Sequence, residues 1–207
     1  MFERFESQFE GDRTTLRETR DLLRIGFDSS LLRLFQRHAG QTFGNNIYRI
    51  LSVDQGLRIG EIISTCFDGY DEKIFCFGCD WMGRVFASND HTPINGHPSV
   101  MMFHPEYGEL FTLPYNVVEF HNDALVDLRE DILAENFYGE WLRSGGKRPS
   151  SNECVGHKVP LFLNGDDDLS NLELTNLEVY WTVAAQLLIQ IRSLPDGTAI
   201  EGIELKT

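Results

Sequence analysis

The stretch CVGHKVPLFLNGDDDLSNLE, residues 154–173, gathers a thiol, an imidazole and three successive carboxylates around a short apolar run. Two chemistries use such groups. Cys154 and His157 are the types of a nucleophile and its base, with His121 or an Asp as orienting group. Asp166, Asp167 and Asp168 are oxygen ligands of the kind a hard cation takes. Neither pattern closes. A spacing of three around a glycine does not bring a thiol onto a ring. A calcium loop begun at Asp166 would need Gly at its sixth position and Glu at its twelfth, where Asn171 and Leu177 stand. The stretch therefore reads as an exposed acidic turn between two buried elements.

Cysteines occur at 66, 76, 79 and 154. The CFGC pair has no second pair of zinc ligands at suitable spacing, Cys66 and His91 being the nearest candidates. A redox pair opens a helix, whose N-terminus lowers a thiol pKa, whereas strand-like residues and a turn follow here. If the segment is extended, positions 76 and 79 face opposite ways, so both read as structural thiols. The remaining histidines (38, 91, 97, 104) lack metal spacing, and no phosphate loop or nucleophile elbow occurs. No cofactor or metal is implied.

The chain carries 18 Lys and Arg against 32 Asp and Glu, a net charge of -14. A surface of that sign repels nucleic-acid phosphates and anionic lipid and favours a basic partner. The asymmetry is concentrated: residues 1–50 hold 8 basic and 7 acidic side chains, the remainder 10 and 25. The start, MFERFESQFE, has no apolar run of a secretion signal. The longest apolar stretch, 179–191, is shorter than the ~18 residues of a membrane span. A cytoplasmic chain with reduced thiols and no membrane partner is expected.

These residues must be positioned by local elements. Phe2, Phe5 and Phe9 share a helical face, suited to docking on the body or on a partner. Helices are expected over 14–24, from Asp28 or Ser29 to Gly40, and over 58–66. Strands are expected over 46–52, 73–78 and 83–88, with SVMMFH and ELFTL as a hairpin across Pro105–Gly108, making an antiparallel meander. Leu125, Leu128, Ile132, Leu133, Phe137 and Trp141 stripe one long helix ended by Gly145 and Gly146. SGGKRPSSNE reads as a mobile loop. A capping box at Thr175 and Glu178 opens a buried helix over 176–193, and TAIEGIEL alternates as a final strand. The class is α+β, an antiparallel sheet flanked by N-terminal helices and a buried C-terminal helix. Residues 1–27 form an N-terminal helical segment and 28–207 a single domain.

Taken together, GQTFGNNIYRI (40–50), FGCDWMGRVFA (77–87), HPEYGELFTLP (104–114), EFHNDALV (119–126) and the stretch 154–181 resemble the bacterial type VI secretion immunity family. The C-terminal domain of that family occurs in proteins that protect against DNase effectors and is similar in layout to the SUKH superfamily. The likeness spans most of residues 28–205. Asp80, Trp81, Gly83, Arg84, Cys154, Gly156, Pro160, Leu161 and Asn171 to Glu173 fit the pattern, as does the helix start Val179-Tyr180-Trp181. His157 stands where an aromatic such as Tyr is expected, and Asn164 where Gly is expected. The resemblance implies a SUKH-like fold, no catalytic residues, no cofactor, and a cognate protein toxin, a basic nuclease effector, as partner. Candidate contacts are Asp166, Asp167, Asp168, Asp68, Asp71 and Glu72, with Phe2, Phe5 and Phe9 if the core does not use them. Two other readings are a regulatory or signalling interaction module on the same fold, and an enzyme using Cys154 with His157 or a metal on the Asp run.

Overall fold

The structure is a computed structural model that describes residues 1–9, 11, 28–67, 69 and 75–194. The expected helix over 14–24, the final strand over 198–205 and the candidate contacts Asp68, Asp71 and Glu72 lie outside the described residues.

Among the described residues six strands form one antiparallel sheet in which each neighbour follows its predecessor in sequence: β1 (Thr42–Phe43), β2 (Tyr48–Ile50), β3 (Cys76–Asp80), β4 (Val85–Ile94), β5 (His97–His104) and β6 (Glu109–Asn116). The fold class is α+β, as the meander of short alternating segments predicts. Asn95 and Gly96, at φ +52° and +81°, close β4 onto β5, the paired positive φ of a two-residue hairpin turn. That turn lets β4 run well past its expected end at 88.

Helices cover both faces. On one lie α1 (Glu3–Gln8), α2 (Ser29–His38) and a helical run comprising α4 (Val117–Glu119), a π-helical turn (Phe120–Ala124) and α5 (Leu125–Asp127). They bury Phe86, Val100 and Met102 of the sheet. On the other lie α3 (Val53–Ser64) and α8 (Leu177–Arg192), which bury Val85, Ala87, Met101 and Phe103. The alternation of these side chains along β4 and β5 is the period-two pattern of a sheet buried on both sides.

Phe2, Phe5 and Phe9 are 0, 0 and 3% exposed, so the core uses them and they are withdrawn as partner contacts. Each buried ring contributes about 1.5–3 kcal/mol. Arg4 fixes the helix that carries them, reaching Asp123 at 2.6 Å and Asp127 at 2.8 Å, while Asn122 accepts from the Phe5 amide at 3.3 Å.

α3 begins five residues before its expected start because Ser52 and Gln55 form a capping box. Its glycines serve packing. A Cβ on Gly56 would meet the Cys76 carbonyl at 2.2 Å, so α3 lies directly on β3. The expected long helix over 125–141 is instead three pieces, α5, α6 (Arg129–Leu133) and α7 (Glu135–Arg143), broken where Ala134 adopts φ +49°. The stretch 144–153 is tied rather than mobile: the Pro149, Ser150 and Ser151 carbonyls accept from Asn46, Arg49 and Gln55. α8 is capped by Asn176 and not by Thr175. Val179 and Ile189 are 56% and 47% exposed, so this helix is buried on one side only. Among the described residues no helix is long and apolar enough to cross a membrane.

Beneath α1 the buried His121 ring donates from Nδ1 to the Val117 carbonyl at 2.7 Å and accepts the Tyr48 hydroxyl proton at Nε2, 3.0 Å away. Burial, aided by the charge on His38 and opposed by the Val117 carbonyl, lowers this imidazole to about 3. The unfolded chain takes up this proton near the ordinary 6.5 and the folded chain does not. Stability from this group is therefore complete above about pH 6.5 and is lost as pH falls toward about 3, at roughly 1.4 kcal/mol per pH unit. In an NMR titration the His121 ring is expected to stay the neutral Nδ1–H tautomer down to about pH 4; a midpoint near 6.5 would contradict the burial argument.

Candidate functional site

β3 ends and β4 begins at a turn that concentrates buried charge. Asp80 Oδ1 accepts from the Met82 amide at 3.0 Å and the Arg84 amide at 2.9 Å, and Oδ2 accepts from Arg84 Nε. Gly83, at φ +81° and with Cys154 Sγ 3.0 Å from where a Cβ would stand, permits the turn and the close approach of the next element. That element is β7 (Glu153–His157), paired with β8 (Leu172–Asn176) as a second, two-stranded sheet. The Val155 amide donates to the Trp81 carbonyl at 2.7 Å, and Trp181 Nε1 of α8 donates to the Gly83 carbonyl at 2.9 Å.

Glu106, in the turn before β6, completes the centre. Burial pushes both carboxyls up, and for Asp80 burial prevails over the attraction of Arg84. For Glu106 the hydrogen bond from His104 Nδ1 at 3.3 Å, the His104 charge and the Arg84 charge together hold the carboxyl below its ordinary value. Arg84 Nη2 and Glu106 Oε2 are buried and make no hydrogen bond to the described residues, so charge rather than saturated hydrogen bonding unites them.

Cys154 and His157 are not brought together. Residues three apart on β7 point to opposite faces: Cys154 packs with Trp181 and Leu177, while His157 shares the face of Val155. Burial raises the Cys154 thiol well above its ordinary value. His157 Nε2 lies instead 3.5 Å from Asp167 Oδ1. Cys76 and Cys79 depart from the expectation for an extended segment. A register shift between Cys76 and Gly78 pairs Cys76 with Ala87 and Cys79 with Val85, so both thiols enter the same apolar layer. Burial pushes Cys66 and Cys79 up to about 11 and Cys76 higher still. Among the described residues no group of three or more His, Cys, Asp or Glu is placed to hold a metal ion.

The Asp run forms part of the turn from 158 to 171. Asn171 Nδ2 donates to the carbonyls of Val159 and Asp166, both at 2.8 Å, and tethers the loop to itself. Asn164, where the resemblance leads one to expect Gly, adopts φ +61°, a conformation asparagine tolerates better than most residues. Asp168 accepts from the Ser170 amide at 2.8 Å and hydroxyl at 2.6 Å, which together lower its pKa. All three aspartates remain exposed. The Phe162 amide donates to the Glu106 carbonyl at 3.1 Å, which draws this loop onto the turn before β6. Tyr107, 45% exposed, then senses both Asp167 and Glu109: after its own partial burial, these carboxylates with Glu106 raise its hydroxyl. An aromatic and acidic rim thus joins the loop to the start of β6. Of this rim, Asp166, Asp167 and Asp168 are recognisable from sequence, whereas Tyr107, Glu109 and the neighbouring Phe111 are not. Their only local signal was an aromatic within a Pro-Glu-Tyr-Gly turn.

The fold and this centre define an α+β protein with a buried ionic turn beneath an acidic rim. A crystal structure of Atu4351 from Agrobacterium tumefaciens is similar to this chain, with a TM-score of 0.67 and 14% identity, covering 90% of this chain and 89% of that one. At that identity the likeness carries the fold alone. No protein-family model and no curated protein matches the chain.

Arg84→Met leaves Asp80 and Glu106 buried without their shared cation and is expected to cost about 3–5 kcal/mol in urea unfolding; a loss below ~1 kcal/mol would show that the turn does not depend on it. In the native protein all four thiols are expected to react with a disulfide reagent far more slowly than in denaturant. For Cys79 the folded thiolate fraction is roughly a hundredfold below the ordinary one. Fast native labelling of Cys154 would reopen its reading as a nucleophile.

Proposed function

We propose that this chain is an immunity protein that binds a toxin, a nuclease delivered by a type VI or related secretion system, and neutralises it by covering its active site or substrate groove. It acts by occupying its partner, without catalysis of its own and without a cofactor. The observation that carries this reading is the exposed run Asp166–Asp168, set beside Glu109 and Tyr107 on a chain of net charge -14. A nuclease holds its substrate in a basic groove. An acidic rim is steered into such a groove at a rate that falls with ionic strength, and an exposed aromatic beside it provides an anchor once the charges have met.

Two observations fit the same reading. Cys154 and His157 face apart, and the buried Asp80, Arg84 and Glu106 act on one another within one turn. The resemblance of segments 40–50, 77–87, 104–114, 119–126 and 154–181 to the type VI immunity family supplies the partner class.

The test is association with the product of the effector gene adjacent to its own, the active site of that effector being inactivated. Tight binding is expected, with an association rate that falls at least about tenfold between low and physiological salt. Absence of binding would overturn the reading. Binding indifferent to salt would overturn its electrostatic part.

A further inference from the structure

We infer that β6 receives an extended, basic segment of the protein partner as an added strand, with the acidic rim guiding it into place; this rests on the reading proposed above and deepens it. β6 is the last strand of the six, and among the described residues it pairs with β5 alone. Its pairing is continuous from His104↔Glu109 to Val100↔Leu113, and the register breaks before Asn116, which leaves Pro114 out of the ladder. Residues 109–113 therefore form a regular stretch about as long as a typical strand, whose outward amides and carbonyls pair with no other strand among the described residues and can template a further one.

The side chains suit an incoming segment of mixed character. Glu109, Phe111 and Leu113 share the face of Met102 and Val100 across the pair, and Phe111 is 41% exposed. Tyr107 and Asp167 stand at the end of the strand next to Glu109. An occupant with Lys or Arg opposite Glu109 and Asp167 and an apolar residue against Phe111 satisfies both features. Strand addition supplies affinity through main-chain hydrogen bonds and selectivity through such alternate side chains. A second copy of this chain is the poorer occupant, because it sets one net charge of -14 against another.

The experiment uses the full chain and the product of the adjacent effector gene with its active site inactivated. Amide exchange of residues 109–113 is followed by NMR, free and in complex. The outward-facing amides are expected to exchange readily in the free chain and to slow at least about tenfold in the complex. Phe111→Ser is expected to weaken binding at least about tenfold, chiefly through dissociation. Glu109→Lys is expected to slow association at low salt more than at high salt. The inference is overturned if these amides are already protected in the free chain, by its own residues 195–207 or by a second copy. It is overturned equally if a complex forms with exchange at 109–113 unchanged. Failure of the wild-type chain to bind at all overturns the functional reading, and this one with it.

Discussion

The Asp80–Arg84 turn is the point on which the separate elements converge. A carboxylate taken out of water is sustained when hydrogen bonds engage the lone pairs that its cation leaves over. Asp80 meets that condition with two backbone amides, which fixes the turn, and the fixed turn presents the carbonyls of Trp81 and Gly83 to β7 and α8. Trp81 itself reaches the other way, donating from its indole to the Leu133 carbonyl at 2.8 Å and so holding α6. Trp81 and Trp181 are fully buried with their one polar atom paired, the arrangement in which a large aromatic contributes most to a core. Elements from residues 80 to 181 thus meet within one buried turn.

Charge is divided between interior and surface in a way that bears on function. Arg49 and Arg84 are buried, engaged respectively with Cys79 and the Ser150 carbonyl, and with Asp80. Asp166–Asp168 and Glu109 remain outside. Two exposed cations also reach the rim, Lys158 bonding the Ser170 carbonyl at 2.7 Å and Arg192 the Gly108 carbonyl at 3.1 Å, so steering there draws on the net charge of the whole chain as well as on the local carboxylates. Specificity must come from what lies beside the carboxylates, since charge alone does not distinguish one basic surface from another.

The sequence was most informative where periodicity and caps agree. Asp28 before α2, the short strands of the meander, and the shared helical face of Phe2, Phe5 and Phe9 all follow from local pattern, whereas the choice of core over partner for those three rings did not. It was least informative where tertiary approach overrides propensity. Gly56 argues locally against helix, yet it lies in α3 because β3 comes too close for any side chain. The Ser52 and Gln55 capping signal was present and outweighed that glycine. Nothing local marks the left-handed Ala134 that breaks the run over 125–141, or the bulge that turns Cys76 and Cys79 to one side. Of the rim, the Asp run was legible as an exposed turn. Its neighbours Tyr107 and Glu109 were not, because nearly sixty residues separate them in the chain and tertiary contacts such as Phe162–Glu106 bring them together.

The consecutive order of the six strands has a bearing on how the chain is made. Each strand finds its partner in the segment just synthesised, so the meander can close as it emerges, with little loop-closure cost. The layer over Val85, Ala87, Met101 and Phe103 is a different matter. It needs α8, which leaves the ribosome some ninety residues after β5 begins. Until then α3 alone covers that side of the sheet, and this is the interval in which a nascent copy is most exposed to self-association.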